Sequence, residues 1–160
     1  MTAAIALRTA LAADRDVVID LIHVLNAFEA DLTGDRRRDR VAAAAYYDEL
    51  MQRLARRKGR VILAEADGIA VAAMGFSLDE DAAYVEDDVR HHGTVTDLVV
   101  QEEWRGRGVG RLMLEEAERL TREAGLKRLI IGALVANEKA ERTYRAFGFD
   151  PYVSIMVKEV

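Results

Sequence analysis

The chain has 160 residues, of which 51% are hydrophobic, so it carries enough apolar material to bury the core of one domain. Its net charge of −5 argues against the basic surface of a nucleic-acid-binding domain. It contains no cysteine, which excludes a disulfide framework, a thiolate nucleophile and a cysteine-type zinc site. We therefore expect a single domain over residues 1–160.

The apolar N-terminal segment is interrupted by Arg8 and follows no basic region, so it does not predict a signal peptide. No apolar run approaches the roughly 18 residues of a membrane span. These features, with the absence of cysteine, predict a cytoplasmic protein with no membrane partner. Arginine clusters near residues 36–40 and 53–60 are interpreted as solvated helix ends or loops rather than as an RNA-binding surface.

Apolar periodicity predicts a strand over 5–9 and then a helix capped by Asp14, with a stripe formed by Val17, Val18, Leu21, Ile22, Leu25 and Phe28. A second helix is predicted over 39–57. Two strands over 61–65 and 69–76 flank the short turn 66–68, which is typical of a hairpin. An acidic loop over 79–88 then leads to a strand over 94–100.

The second half of the chain predicts a helix over 108–124 and an almost wholly apolar strand over 128–134. The helix between strands 94–100 and 128–134 makes a crossover, so these two strands are expected to be parallel. Asn137 can cap a last helix and Gly148 can end it. Beyond Pro151, a final strand is predicted over 152–158. These elements predict a mixed α/β domain.

The stretch from Leu98 to Gly110, LVVQEEWRGRGVG, joins a strand to a helix through a basic, glycine-rich turn. The first backbone N–H groups of a helix have no intrahelical acceptors, and the helix dipole adds positive charge there. Such a turn is therefore typical of an anion site, and glycine side chains would not obstruct a diphosphate. The basic residues around it are Arg105, Arg107 and Arg111.

Two familiar phosphate loops do not fit this turn. A P-loop requires Gly-Lys-Ser/Thr, but Gly110 is followed by Arg111 and Leu112. A dinucleotide fingerprint G-x-G-x-x-G/A fails in either register and also requires a carboxylate after the next strand. Gly132 and Ala133 stand there instead. A helix whose N-terminus is merely exposed is the remaining alternative.

Arg105-x-x-Gly108-x-Gly110 resembles Q/R-x-x-G-x-G/A, the pyrophosphate loop of the GNAT superfamily of N-acetyltransferases. The segment from Asn137 to Phe149 is similar to the last helix of that family, with a tyrosine at Tyr144 ahead of a Gly-Phe end. The resemblance implies the GNAT fold, a mixed and mostly antiparallel sheet of about six to seven strands with about four helices on its faces. It also implies an enzyme that uses acetyl-CoA and releases CoA.

By this resemblance, the backbone of Leu98, Val99 and Val100 binds the pantetheine arm and supplies an N–H to the developing oxyanion. The pyrophosphate is expected at Arg105, Gly106, Arg107, Gly108, Val109, Gly110 and Arg111. Asn137 is expected to bind the cofactor arm and Tyr144 to bind near the sulfur and protonate the departing thiolate. The two lie seven residues apart, so they share one helix face.

Acyl transfer to an amine needs a neutral nucleophile, and at neutral pH only about one alkylammonium in a thousand is deprotonated. Asp97, on the strand before the turn, is the best nearby carboxylate and is the candidate base. Many family members have a glutamate three residues earlier, where this chain has Thr94, which could position only a water. The base is therefore Asp97 or a water.

The other tyrosines, Tyr46 included, are interpreted as packing residues, and adjacent His91 and His92 do not predict a metal site.

The acceptor is expected to be a small cationic amine or an amino-acid-like molecule, attracted by Glu29, Asp31 or the acidic loop 79–88. A protein N-terminal or lysine acetyltransferase and a non-catalytic acyl-CoA sensor are the alternatives. Nucleic acid is not expected as a partner, and a homodimer is left open.

Overall fold

The computed structural model describes residues 4–160, so the first three residues of the predicted domain lie outside it. One central sheet is formed by β1 (Ile5–Thr9), β2 (Arg60–Ala66), β3 (Ile69–Glu80), β4 (His91–Val100) and β5 (Leu129–Ile131). The helices are α1 (Arg15–Thr33), α2 (Arg40–Arg56), α3 (Asp87–Arg90), α4 (Val109–Glu123) and α5 (Glu138–Phe147).

The strands follow one another across the sheet in the order β1-β2-β3-β4-β5. The first three pairings are antiparallel, and β4 and β5 are parallel, as the crossover through α4 requires. The predicted hairpin is confirmed, since Asp67 and Gly68 join β2 to β3 in a short turn. Both residues have positive φ, which is typical of the turns that match the twist of two hairpin strands.

Helices cover both faces of the sheet. On one face, α1 and α2 pack through a buried cluster that includes Ile19, Leu50, Leu54 and Leu63. On the other face, α4 packs through Met113, Ala117 and Leu120 against Met74, Phe76 and Val95, among other residues. Burial of two apolar layers against one sheet is the main stabilising contribution, at about 25 cal/mol per Å² of apolar surface.

Polar side chains cap the starts of two helices, and the cap at Asn137 was predicted. The Asp39 carboxylate accepts a hydrogen bond from the Ala42 N–H at 2.9 Å at the start of α2. Asn137 does the same for the Ala140 N–H at 3.1 Å at the start of α5, and Gly148 ends that helix with positive φ. Asp14 precedes α1, but its carboxylate accepts from the Leu11 N–H and binds Arg8 rather than capping α1.

The structure corrects three expectations. The described sheet has five strands rather than six to seven, and five helices accompany it rather than four, because Asp87–Arg90 forms a short extra turn in the acidic loop. The strand predicted over 128–134 is limited to Leu129–Ile131. Residues 152–158 form no strand, since no described residue pairs with their backbone.

The apolar stripe predicted for the first helix was wrong at one core position. Val17 is 40% exposed, whereas Ile19, which the predicted stripe omitted, is fully buried. No helix among residues 4–160 is long and apolar enough to cross a membrane. Within the same residues, no cluster of histidine, aspartate or glutamate side chains could hold a metal ion.

Candidate active site

The sheet opens between β4 and β5. These strands pair only at three positions, Gly93–Leu129, Thr94–Ile130 and Val95–Ile131, although β4 continues to Val100. The last residues of β4 therefore hydrogen-bond to β3 on one side and leave their other edge without a strand partner in the described chain. The edge of Leu98–Val100 can accept an extended ligand there, because a strand edge offers a row of N–H and C=O groups.

A β-bulge in β4 directs Asp97 toward the α1–α2 face. Gly75 pairs with Asp97 and Phe76 with Val95, so Thr96 is an extra residue on β4. In a regular strand Val95 and Asp97 would face the same side. Instead Val95 packs with the α4 cluster, while Asp97 contacts α2. Bulges next to functional sites re-aim side chains in this way.

Asp97 lies at the end of a three-residue hydrogen-bond chain. The Tyr46 hydroxyl donates to the Asp97 carboxylate, with its oxygen 2.9 Å from Oδ1 and 3.0 Å from Oδ2. The Arg53 guanidinium in turn donates to the Tyr46 hydroxyl oxygen at 2.9 Å. Tyr46 and Arg53 lie two helical turns apart on α2, which puts them on one face. The chain fixes the Asp97 carboxylate and keeps a cation close to it.

Burial raises the pKa of Asp97 above its ordinary value, because a desolvated carboxylate is less stable when charged. The Tyr46 hydroxyl and the Arg53 cation oppose this shift, while the charge of Glu29 adds to it. Burial, followed by the charge of Asp97, raises the pKa of Tyr46 to about 12, so the phenol keeps its proton and remains a donor. A raised carboxylate pKa is the property of a base that works near neutrality.

Tyr144 lies on α5 and is partly buried. Its ring makes an edge contact with Phe149, with the ring centroids 6.1 Å apart. Burial, followed by the charge of Glu29, raises the pKa of Tyr144 to about 12. No hydrogen bond joins its hydroxyl to another residue of the range 4–160. The phenol is thus protonated at neutral pH and free to bind a ligand atom.

Glu29 connects the two predicted catalytic residues. Its charge contributes to the raised pKa of both Asp97 and Tyr144, after the larger effect of burial in each case. Arg36 holds it through an ion pair of 3.0 Å. The adjacent Phe28 ring carries the Arg105 guanidinium 5.1 Å above its centroid. The C-terminal part of α1 therefore carries the Glu29 carboxylate and contacts the glycine-rich turn through Phe28.

The glycine-rich turn has the geometry of an anion site. Gly106 and Gly108 have φ of 74° and 83°, and a Cβ at either position would meet no atom within 4 Å. Gly108 is the N-cap of α4, and no side chain caps it. The first N–H groups of α4 are therefore open to a ligand, on the side where these glycines leave space.

The three arginines of the turn have different surroundings. Arg105 donates from Nε to the Val100 carbonyl at 3.0 Å, which ties the turn to the end of β4. Arg107 stacks on Trp104, with its guanidinium 5.1 Å from the ring centroid. Arg111 pairs with Glu115 at 2.9 Å. Arg105 thus shapes the turn, while exposed Arg107 and Arg111 supply positive charge at its outer side.

The structure brings most of the predicted residues to one region, the open end of β4. Asp97, Leu98, Val99 and Val100 lie in β4, and the turn from Arg105 to Arg111 follows directly. Thr94 lies outside the opening, since it pairs with Ile130 and its hydroxyl is 3.1 Å from His92 Nδ1. The amide oxygen of Asn137 is used in capping α5, so only its NH₂ group remains for a ligand.

The sequence interpretation missed Tyr46 and Arg53. Tyr46 was interpreted as a packing residue, whereas it is the hydrogen-bond donor to Asp97. The seven-residue spacing of the two α2 side chains was the available signal. The acidic loop has basic neighbours instead of an open cluster: Asp79 pairs with Arg57, and Glu80 lies near Arg90.

Two comparisons with known protein sequences indicate the same family. The acetyltransferase (GNAT) family model matches residues 23–149. An aminoglycoside N(6')-acetyltransferase type 1 from Stenotrophomonas maltophilia is 36% identical over 105 residues, which cover 64% of this chain and 67% of that protein.

Two solved structures share the fold. An aminoglycoside N-acetyltransferase, AAC(6')-Iy, in complex with CoA has a TM-score of 0.74 at 17% identity, covering 100% of this chain and 97% of that one. The apo aminoglycoside 6'-N-acetyltransferase AAC(6')-IG from Acinetobacter haemolyticus has a TM-score of 0.69 at 18% identity, with 97% and 99% covered.

The strand opening, the uncapped helix start and the family match together define the class: the chain belongs to the GNAT acetyltransferase family. It is an N-acetyltransferase that uses acetyl-CoA. The described residues fit this donor, because the unpaired edge of Leu98–Val100 suits an extended arm and the Gly106–Gly108 turn suits a diphosphate.

Proposed function

We propose that the enzyme acetylates a primary amine on a small, multiply charged cation, by direct attack of the amine while both substrates are bound. The observation that carries this proposal is the buried Asp97 carboxylate of β4, held by Tyr46, together with the Glu29 carboxylate, whose charge adds to the raised pKa of Asp97. Two acidic groups in a partly desolvated site favour an ammonium group over a neutral molecule. The aminoglycosides named for the relatives are molecules of this class.

In this proposal each side chain has a defined task. Acetyl-CoA supplies the activated acetyl group. Asp97 accepts the proton of the ammonium at a carboxylate oxygen, directly or through a water, while Tyr46 and Arg53 position it. The backbone N–H groups of Leu98–Val100 stabilise negative charge on the acetyl oxygen. Tyr144 holds a proton at its phenol oxygen for the leaving sulfur, and Glu29 attracts the cationic acceptor.

We expect thiol release from acetyl-CoA with an aminoglycoside or a diamine, but not with N-terminal or lysine-containing peptides. A panel of these acceptors, followed with a free-thiol reagent, tests both the reaction and the substrate class. Glu29→Gln should raise KM for the cationic acceptor about tenfold, because it removes one charge, and leave KM for acetyl-CoA unchanged. Asp31→Asn is the matched control, since that exposed carboxylate lies nearby and pairs with Arg38.

Two results of the panel would contradict the proposal. Turnover with peptides alone would identify a protein acetyltransferase. Tight acetyl-CoA binding with no turnover on any acceptor would identify a sensor. An equal rise in KM for Glu29→Gln and Asp31→Asn would show that overall charge, rather than the site, attracts the acceptor.

For the base, we expect Asp97→Asn to flatten the acidic limb of the pH profile of kcat/KM. The raised pKa of Asp97 means that wild-type activity falls as the pH drops through that value, because the protonated carboxyl cannot accept a proton. The amide variant has no such titration. Acetyl-CoA affinity, measured by calorimetry, should stay within about twofold. An acidic limb that is the same in Asp97→Asn as in the wild type would exclude Asp97 as the base and favour a water in that role.

Tyr46→Phe should shift the pKa of Asp97 without removing its carboxylate, and the same pH profile of kcat/KM measures this effect. Loss of the hydroxyl removes a donor that lowers the pKa of Asp97, so the acidic limb should move to higher pH rather than flatten. Tyr47→Phe is the matched control on the same helix, because the Tyr47 ring packs in the core beside Arg15. A limb that moves equally in both variants would point to a general change in α2.

A further inference from the structure

A pocket of about 580 Å³ lies along one face of α2, close to the C-terminal end of the helix. Its lining residues recur every three or four positions, so they share that face. They are Glu49, Gln52, Arg53, Arg56 and Arg57. Three arginines and one glutamate make the lining positively charged, even though Arg57 is paired with Asp79 at 2.7 Å. The sequence predicted only solvated arginines at this end of α2, whereas the structure gathers them around a pocket.

Most arginines of this chain are paired with a carboxylate, but two arginines of the pocket are not. Among residues 4–160, the arginines with no carboxylate oxygen within 4.0 Å are Arg53, Arg56, Arg60, Arg105 and Arg107. Arg105 and Arg107 belong to the glycine-rich turn, where we expect a diphosphate to balance their charge. Arg53 and Arg56 carry the same kind of unbalanced charge at the pocket.

Arg53 differs from a solvated surface arginine. It is half-buried, and its Nη2 donates to the Tyr46 hydroxyl oxygen at 2.9 Å. Its Nε is buried, and neither Nε nor Nη1 has an acceptor within the described residues 4–160. A guanidinium is a planar set of five N–H donors that suits two oxygens of one carboxylate or phosphate. Because Arg53 also lines the pocket, it has donor capacity left for an oxyanion there.

We propose that this pocket binds a small oxyanion, a phosphate or a carboxylate, between Arg53 and Arg56, and that its occupancy controls the protonation of Asp97. The link is the hydrogen-bond chain from Arg53 through the Tyr46 hydroxyl to the Asp97 carboxylate. Arg53 belongs to both the pocket and this chain, so a charge placed beside it acts on Asp97. The effect on catalysis rests on the proposed role of Asp97 as the base, whereas the binding site does not.

The polar groups around Asp97 determine the direction of the effect. Burial raises the pKa of Asp97 most, and the charge of Glu29 on α1 adds to this rise. Hydrogen bonds from Thr96 and Tyr46 and the cation of Arg53 lower the pKa of Asp97. An anion beside Arg53 offsets that cation, so the pKa of Asp97 should rise further. Activity falls as the pH drops through this pKa, and the bound anion therefore moves the acidic limb to higher pH.

Calorimetry with inorganic phosphate measures the binding directly. Saturating CoA is included, so that phosphate cannot bind at the glycine-rich turn, and ionic strength is held constant. We expect Arg56→Gln to weaken phosphate binding about tenfold, because it removes one charge-assisted hydrogen bond. Glu49→Gln should strengthen phosphate binding, because it removes the acidic group of the lining, and a misfolded variant would not give that result. Lys58→Gln is the matched control, since exposed Lys58 is next in sequence to the lining but not part of it.

The pH profile of kcat/KM, with and without phosphate at constant ionic strength, tests the coupling. In the wild type we expect phosphate to move the acidic limb up by at least about 0.3 pH unit. In Arg56→Gln the limb should lie where it does in the phosphate-free wild type and should not respond to phosphate. Asp97→Asn should still bind phosphate but show no shift. An acidic limb that persists in Asp97→Asn would contradict the proposed base, whereas loss of phosphate binding alone would contradict only this site.

Two acceptors distinguish a free anion from an anionic group of the acceptor. They are a plain diamine and the same diamine bearing a carboxylate. If the acceptor supplies the anion, phosphate raises KM several-fold for the carboxylate-bearing diamine alone. If the anion is free, phosphate changes KM for both in the same way. The proposal would be overturned by absent phosphate binding in the presence of CoA, by equal losses in Arg56→Gln and Lys58→Gln, or by an acidic limb that moves as far in Arg56→Gln as in the wild type.

Discussion

Tyr144→Phe is expected to lower kcat by about 10²-fold or more, the usual contribution of a general acid, while acetyl-CoA affinity stays nearly unchanged. The pKa of Tyr144, raised to about 12 by burial, keeps the phenol protonated at neutral pH. Its hydroxyl is free of hydrogen bonds to other described residues, whereas its ring packs on Phe149. The substitution therefore removes a proton donor and retains the packing.

Single-turnover kinetics is the appropriate measurement, because product release would otherwise mask the chemical step. Tyr84→Phe is the matched control, since Tyr84 is 90% exposed and lies in the loop before α3. A Tyr144→Phe enzyme that keeps at least half of the parental rate would show that Tyr144 only packs. The sulfur would then take its proton from water.

Gly108→Val is expected to abolish acetyl-CoA binding, with a loss of affinity of at least about 100-fold. Gly108 has φ of 83° at the start of α4, in a conformation that a β-branched residue rarely adopts. A side chain there would also extend into the open space next to the first N–H groups of α4. Calorimetry with acetyl-CoA measures the effect directly.

Gly125→Val is a matched control for backbone strain. Gly125 follows the other end of α4 and has φ of 74°, and a Cβ at this position would meet no atom within 4 Å. Both substitutions should therefore lower the stability of the fold by a similar amount, about 1–2 kcal/mol or more. Equal loss of binding in the two variants, or none in either, would show that the turn does not bind the diphosphate.

Local patterns account for the parts of the fold that the sequence predicted well. The Asp67-Gly68 turn, the Asn137 cap and the apolar period of α4 depend on residues close in the chain. The C-terminal segment 152–158 also has a strand-like pattern, yet no described residue pairs with its backbone. An alternating pattern predicts a strand but does not identify its partner.

In the candidate site, too, features set by residues close in the chain were predicted and features set by distant contacts were not. The glycine-rich turn has a recognisable spacing, so acetyl-CoA could be predicted as the cofactor. The Asp97–Tyr46 contact depends on the bulge that Thr96 forms in β4. The sequence around Thr96 favours a regular strand, so the bulge could not be predicted from it. The effect of Glu29 on the pKa of both Asp97 and Tyr144 depends on the packing of α1 against the sheet. Tertiary contacts of this kind are not encoded in spacing.

The opening between β4 and β5 also has a thermodynamic consequence. A ligand that binds only the folded chain stabilises it by RT ln(1 + [L]/Kd), which is about 2.7 kcal/mol at a concentration of 100 Kd. We expect acetyl-CoA to bind along the edge of Leu98–Val100, which lacks a strand partner in the described chain, and so to stabilise this part of the sheet. The lifetime of the folded enzyme in a cell should therefore rise and fall with the supply of its acyl donor.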